Sequence, residues 1–145
     1  MKRYLAIFLV FALLAALVPT VGAAQARVVY VDGTRSVSGD GSSAAAAVQS
    51  LEEAYSLLSR DVGGTIIVCG RAETGDWSQA LETEPFSAPV TLTSRYGAEN
   101  YTAAAALVVS SRYFCFGGAT VLDDLLLQTS INAYLYSGTE LTVTS

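Results

Sequence analysis

Histidine is missing from all 145 residues. A chain without it has no His-dependent triad, no imidazole metal ligand and no histidine general base. Lysine is almost missing as well: Lys2 is the single one, and every other basic residue is an arginine. Thiols are limited to Cys69 and Cys115. An exported chain can join two such cysteines. Both, however, sit in apolar, strand-like runs, where a free cysteine packs as a small hydrophobe. Pairing and packing stay open here, and packing is the preferred reading.

What is present begins with an export signal. Lys2 and Arg3 precede an almost unbroken apolar run from Leu5 to Val18, and Ala24-Gln25-Ala26 follows. A short positive start, an apolar stretch below the ~20 residues of a membrane span, and small residues flanking a cut are the parts of a secretory signal peptide. The expected division is a signal peptide at 1–26 and a domain at 27–145, secreted or held at the cell surface, with no membrane span after cleavage. Losing Lys2 and Arg3 leaves six arginines against thirteen carboxylates, a net charge of −7. That acidic surface repels phosphate backbones and anionic lipid, so neither nucleic acid nor a membrane surface is an expected partner. The roughly 119 remaining residues suffice for one domain with a modest core.

Arg27 to Asp32 reads as a short apolar strand, and Gly33 to Ser43 as a loop rich in turn formers. Ser50-Leu51-Glu52-Glu53 has the capping-box spacing, in which Ser50 caps the Glu53 amide and Glu53 reaches back to the Ser50 amide. Leu51, Ala54, Tyr55 and Leu58 then share one helical face, and Gly63-Gly64 ends the helix. Beyond it only short strands are expected, starting near Thr65, Val90, Leu107, Tyr113, Leu125, Ala133 and Leu141, with no second helix. That pattern leaves a sandwich or a solenoid. Intervals of 24, 17, 18 and 16 positions from Ile66 to Val90, Leu107, Leu125 and Leu141 favour a solenoid. A sandwich needs hairpin turns, and Asn-Gly and Asp-Gly are missing after residue 65.

In that order, Val29-Tyr30-Val31-Asp32, Gly39-Asp40-Gly41-Ser42-Ser43, Ser50-Leu51-Glu52-Glu53-Ala54, Gly63 to Val68 and Thr120 to Leu127 resemble the N-terminal part of right-handed parallel β-helix proteins. These are the pectate-lyase-like superfamily in their bacterial surface-protein form. The resemblance spans most of residues 28–144 and departs from the family in having Ala44–Ala47 where a proline often precedes the helix. It implies a mainly β fold: the start of a parallel β-helix, closed by an N-terminal amphipathic capping helix. The chain stops in mid-pattern at Leu141–Ser145, so an N-terminal piece of a longer protein is expected, with an open edge through which the isolated fragment self-associates.

Candidate binding residues lie in Gly70 to Pro89, the longest stretch between expected strands. Trp77 is placed to stack on a sugar ring, with Asp76 and Glu73 accepting hydroxyl hydrogen bonds; pinning of the loop by Trp77 is the structural alternative. Tyr96, Tyr101, Tyr113, Tyr134 and Tyr136 are a second candidate, as a glycan platform or as packing along the strands. Asn100-Tyr101-Thr102 is a formal glycosylation sequon. Asp123-Asp124 invites calcium or acid–base chemistry by analogy with the family's enzymes. Adjacent residues on a strand point to opposite sides, so these two cannot bracket one bond at ~5–9.5 Å. They are expected at a bend, with Leu122, Leu125 and Leu127 inward. Arg71, Arg95 and Arg112 are the cations near the strands. No catalytic residue, metal ligand or cofactor is assigned.

Two functions are carried forward. The first is a non-catalytic extracellular or cell-surface module, a stalk or adhesin-like spacer in contact with polysaccharide or host glycan. The second is the capped start of a polysaccharide lyase or glycosidase whose site lies on later coils, where calcium is an expected cofactor.

Overall fold

The computed structural model describes residues 25–145. The charged start and apolar run of the export signal lie outside the described residues. In chain order the elements are β1 (Arg27–Val31), a 3-10 turn at Ala44–Ala46, helix α1 (Leu51–Ser56), β2 (Gly64–Val68), β3 (Arg71–Glu73) and helix α2 (Gln79–Thr83). Then follow β4 (Val90–Thr93), β5 (Arg95–Tyr96), β6 (Glu99–Asn100), β7 (Ala106–Val109) and β8 (Tyr113–Cys115). The last four are β9 (Thr120–Asp123), β10 (Leu126–Thr129), β11 (Tyr134–Tyr136) and β12 (Leu141–Thr144).

The fold is mainly β, and its long-range pairing is parallel. A five-stranded sheet runs β1-β2-β4-β9-β12, a three-stranded sheet β10-β7-β3, and a two-stranded sheet β11-β8. From β7 onward the chain visits these sheets in strict rotation. Every return lands in register: Val90 beside Thr120 and Thr120 beside Leu141, Ala106 beside Leu126, Tyr113 beside Tyr134. Parallel neighbours put like positions on the same side, so one inward set of Ile66, Leu92 and Leu122 forms a buried file.

The spacing read from the sequence needs correcting. Strands near Ile66, Val90, Leu107 and Leu141 were counted as one series, yet β7 with Leu107 belongs to the three-stranded sheet and Leu125 lies outside the strands. Within the five-stranded sheet the partners are Gly64, Val90, Thr120 and Leu141. Early returns are longer because α2 and a hairpin are inserted between them. That hairpin, β5 antiparallel to β6, turns at Gly97, whose φ of 59° replaces the expected Asn-Gly signal.

Ser50 caps α1 as expected, its Oγ accepting from the Glu53 amide at 3.1 Å. The reciprocal half differs: the Glu53 carboxylate accepts from the Gln49 amide at 3.1 Å and the Ser38 hydroxyl at 2.6 Å, not from Ser50. The preceding loop comes close enough to supply those donors. α1 packs against β1 and places Leu51, Ala54 and Tyr55 in one cluster with Val29, Ile66 and Val68. Leu58 joins it.

The absence of a second helix is also corrected. Gly70 to Pro89 is not one irregular segment: it contains β3 and α2. β3 is three residues long and α2 five, with Ala72 and Leu81 their only buried side chains. Neither is long enough to show a period of its own. Ile67 explains the continuous apolar run around β2. It turns away from Ile66 into a second cluster with Tyr30 and Ala47, so β2 is buried on both faces.

The two ends of the stack differ. The outer edge of β1 is filled: the Tyr30 amide donates to Gly41 O, the Val48 amide to Tyr30 O, and the Asp32 amide to Val48 O, each at 2.9 Å. At the other end β10, β11 and β12 are outermost in their sheets. There Leu126, Tyr134 and Val143 are more than half exposed. Leu127 sits in register beside buried Leu107, yet it is 40 % exposed because no further strand covers it.

Candidate functional site

The three residues proposed for a sugar site do not converge. Glu73, on β3, lines a hollow with Gly33, Gln49 and Ser50, and its Oε1 accepts from both Nε and Nη2 of Arg71 at 3.2 Å. Trp77 is spent on packing. Its ring, half-buried, packs against the core, edge-on to Phe114 at 5.3 Å and tilted on Tyr55 at 5.4 Å, and its open side lines a second hollow with Glu52, Arg60 and Ala80. Asp76 is exposed and faces a third hollow.

That third hollow is an open cleft of about 500 Å³. Alternation along β8 and β11 builds its floor. Phe114 and Leu135 turn inward, so Tyr113, Cys115, Tyr134 and Tyr136 share the outward side. The Tyr113 and Tyr134 rings stack at 5.4 Å with their planes 11° apart, as parallel register requires of like residues. α2 packs over β8 and hides Cys115, which is 2 % exposed beside 57 % for Tyr113. One wall is α2, with Gln79 and Glu82, preceded by Asp76; Arg112, at the head of β8, faces it. Three short elements thus bring together two carboxylates, an arginine and a tyrosine floor from positions 76–82, 111–113 and 136.

The groups are unequally engaged. Tyr136 donates its phenol hydrogen to Glu82 Oε1. That hydrogen bond, with the negative charge behind it, pushes the Tyr136 phenol up to about 12. Burial raises the Cys115 thiol, its sulfur accepts from the Gly117 amide at 3.3 Å, and it is buried beneath α2 rather than open to the cleft. The Arg112 guanidinium lies over the Tyr113 ring, 5.6 Å from its centroid. Among the described residues it has no carboxylate within ion-pair distance, whereas Arg60, Arg71 and Arg95 each do.

The remaining candidates lie elsewhere. Tyr96 and Tyr101 are on or beside the β5–β6 hairpin, where Glu99 accepts from the Tyr30 hydroxyl at 2.6 Å. The tyrosines therefore form no single platform. Asn100 is exposed, its side chain bonded to Thr102 in a tight turn. Asp123 accepts from Thr144 Oγ1 at 2.7 Å and from Thr93 Oγ1 at 3.2 Å, a rung across β4, β9 and β12. Asp124 stands at the bend with φ 49° and pairs with Arg95 at 3.0 Å. The two carboxylates engage different partners, Asp123 the threonine rung and Asp124 the Arg95 guanidinium. Both cysteines are free. Among the described residues no group of three or more carboxylate and thiol side chains converges to hold a metal ion, and no helix is long and apolar enough to cross a membrane.

The sequence pattern singles out Asp76 of this cleft and puts Arg112, Tyr113 and Tyr136 in separate groups, with nothing to join them. The one signal available was the pair of outward tyrosine positions 113 and 134, 21 residues apart, which match once the strand register is known. Comparison with family models, curated proteins and solved structures finds no match to this chain.

Proposed function

We propose that residues 27–145 form a helix-capped, right-handed parallel β-helix, and that it serves outside the cytoplasm as a non-catalytic surface module in contact with glycan. The observation that carries this reading is the rotation of the chain through three parallel sheets with in-register returns, closed at the β1 end and continuous along one core. A stack of that kind is stiff along its axis and presents repeating outward rows, which suits a spacer or adhesive stalk. The Lys2–Ala26 signal pattern supports the extracellular setting. The free edges of β10, β11 and β12, with Leu126 and Val143 exposed beside them, support end-on association of the isolated segment. The divergence of Asp123 and Asp124 and the pairing of Glu73 with Arg71 support a role without bond cleavage.

Expression of the full chain in a secreting host tests it. Mass spectrometry is expected to find the exported protein starting at or within a few residues of Arg27. The same protein, incubated with acidic and neutral polysaccharides with and without calcium, is expected to release no unsaturated or reducing sugar. An intact Met1 defeats the export reading, and released sugar defeats the non-catalytic one in favour of a lyase or glycosidase.

A further inference from the structure

We propose that the cleft between α2 and the β8–β11 tyrosine face binds one ring of an uncharged, hydroxyl-rich sugar, and that it rejects uronates. This inference rests on the glycan-contacting reading above and gives it a location and a ligand class.

The chemistry of the walls selects the class by elimination. Asp76 and Glu82 are acceptors, Arg112 is a donor without an ion-pair partner, and Gln79 offers both. Mixed donors and acceptors around one opening match vicinal hydroxyls, each of which gives one hydrogen bond and receives others. Tyr134 stacks on the Tyr113 ring and the Arg112 guanidinium lies over it, so the apolar area open to the C–H side of a pyranose is the exposed edge of Tyr113 and the exposed part of Tyr136. The cleft, at about 500 Å³, falls in the ~300–1,000 Å³ range of small-ligand sites. An acidic sugar would bring its carboxylate toward two carboxylates and only one guanidinium, on a chain that carries thirteen acidic residues. An ammonium ligand would find the Tyr113 ring already faced by the Arg112 guanidinium. An uncharged polyol escapes both repulsions.

Trp77 contributes nothing directly, because its ring is held between Tyr55 and Phe114.

The test is a two-dimensional amide NMR titration of the exported full-chain protein. The probes are hexamers of β-1,4-linked glucose, mannose and N-acetylglucosamine, with trigalacturonate as the acidic comparator. At least one neutral hexamer is expected to shift amides within residues 76–82, 111–113 and 134–136 at millimolar concentration. Tyr113→Ala and Glu82→Gln are each expected to weaken that binding about tenfold or more, while Asp61→Asn, outside the cleft, leaves it unchanged. Trigalacturonate is expected to bind more weakly than the best neutral hexamer, and the Asp76→Asn, Glu82→Gln double variant to narrow that gap. Circular dichroism of each variant separates lost binding from lost folding. Tyr113 is exposed, so its truncation leaves the core intact. The proposal is overturned if no neutral hexamer shifts these amides, if trigalacturonate binds more tightly than all of them, or if folded Tyr113→Ala binds like wild type. Absence of binding leaves the non-catalytic module standing. Sugar release would defeat the module and leave the cleft untouched.

Discussion

Leu51→Ala is the perturbation that loads the helix–core contact most directly. Leu51 is fully buried at the first position of α1, in the cluster that also holds Val29, Ile66 and Val68. Truncation to alanine removes the buried atoms and leaves a cavity that the flanking strands cannot close, at a cost of ~2–5 kcal/mol. A domain of this size has ~5–15 kcal/mol in total. A loss of ~3 kcal/mol lowers the melting temperature by roughly 10 °C and moves a urea midpoint by about 1–3 M. Chemical denaturation followed by Trp77 fluorescence reads the change, because that ring packs on Tyr55 of the same helix. Leu51→Asp adds a signature that a simple cavity lacks. A carboxyl forced into this site has its folded pKa raised above the unfolded ~3.9. Below that pH the variant carries only the cavity and buried-carboxyl cost, and the ionisation penalty is added as pH rises through the folded value, so the variant should lose further ground to wild type between acid and neutral pH. Glu52→Ala, one residue along and exposed, should stay within ~0.5 kcal/mol. A Leu51→Ala protein whose midpoint matches that of Glu52→Ala would refute the claim that α1 is part of the core.

Alkaline pH should destabilise the wild type. Burial raises Cys69 from its ordinary 9.0 to about 11, the Glu82 hydrogen bond raises Tyr136 from 10.0 to about 12, and Tyr30 and Tyr55 shift the same way, the first through its bond to Glu99 and the second through burial. Groups with raised folded pKa values give stability that is present below pH 9 and lost as pH rises toward 12, so thermal midpoints that stay flat from pH 9 to 12 would contradict these contacts. Gly63→Ala should melt far below Gly97→Ala. Both glycines have positive φ, 68° and 59°, but an added Cβ at Gly63 collides with the Pro89 carbonyl while at Gly97 it meets nothing within 4 Å. Gly97→Ala should then show only the left-handed penalty of ~1–2 kcal/mol, and equal melting temperatures would refute the difference. Val143→Lys, on the outermost strand, should lower the concentration-dependent association of the 27–145 segment in sedimentation velocity, because a charged edge resists pairing. A segment that is monomeric before the change removes the premise.

What the amino-acid order determined by itself is local. The Ser50 cap, the Leu51–Ala54–Tyr55–Leu58 face and the β-rich runs follow from interactions among residues a few positions apart, and such interactions are written where they act. The bend at Asp123-Asp124 is local in the same way, taken by Asp124 at φ 49° directly after the strand ends. Only the tertiary structure decided which strands return beside which. That choice depends on register across gaps of 20 to 37 positions, and insertions such as α2 and the Gly97 hairpin change the gap without marking the strands. Counting apolar runs as one series mixed two sheets for this reason. The same limit governed the candidate site. Trp77, Asp76 and Glu73 are close in sequence but turn to three different hollows, because Glu73 ends β3, the chain turns at Gly75 with φ 59°, and the adjacent Asp76 and Trp77 then face different ways. Glu82, Arg112, Tyr113 and Tyr136 are scattered in sequence and meet because parallel pairing of β8 with β11 lays like positions side by side, and α2 lies across them.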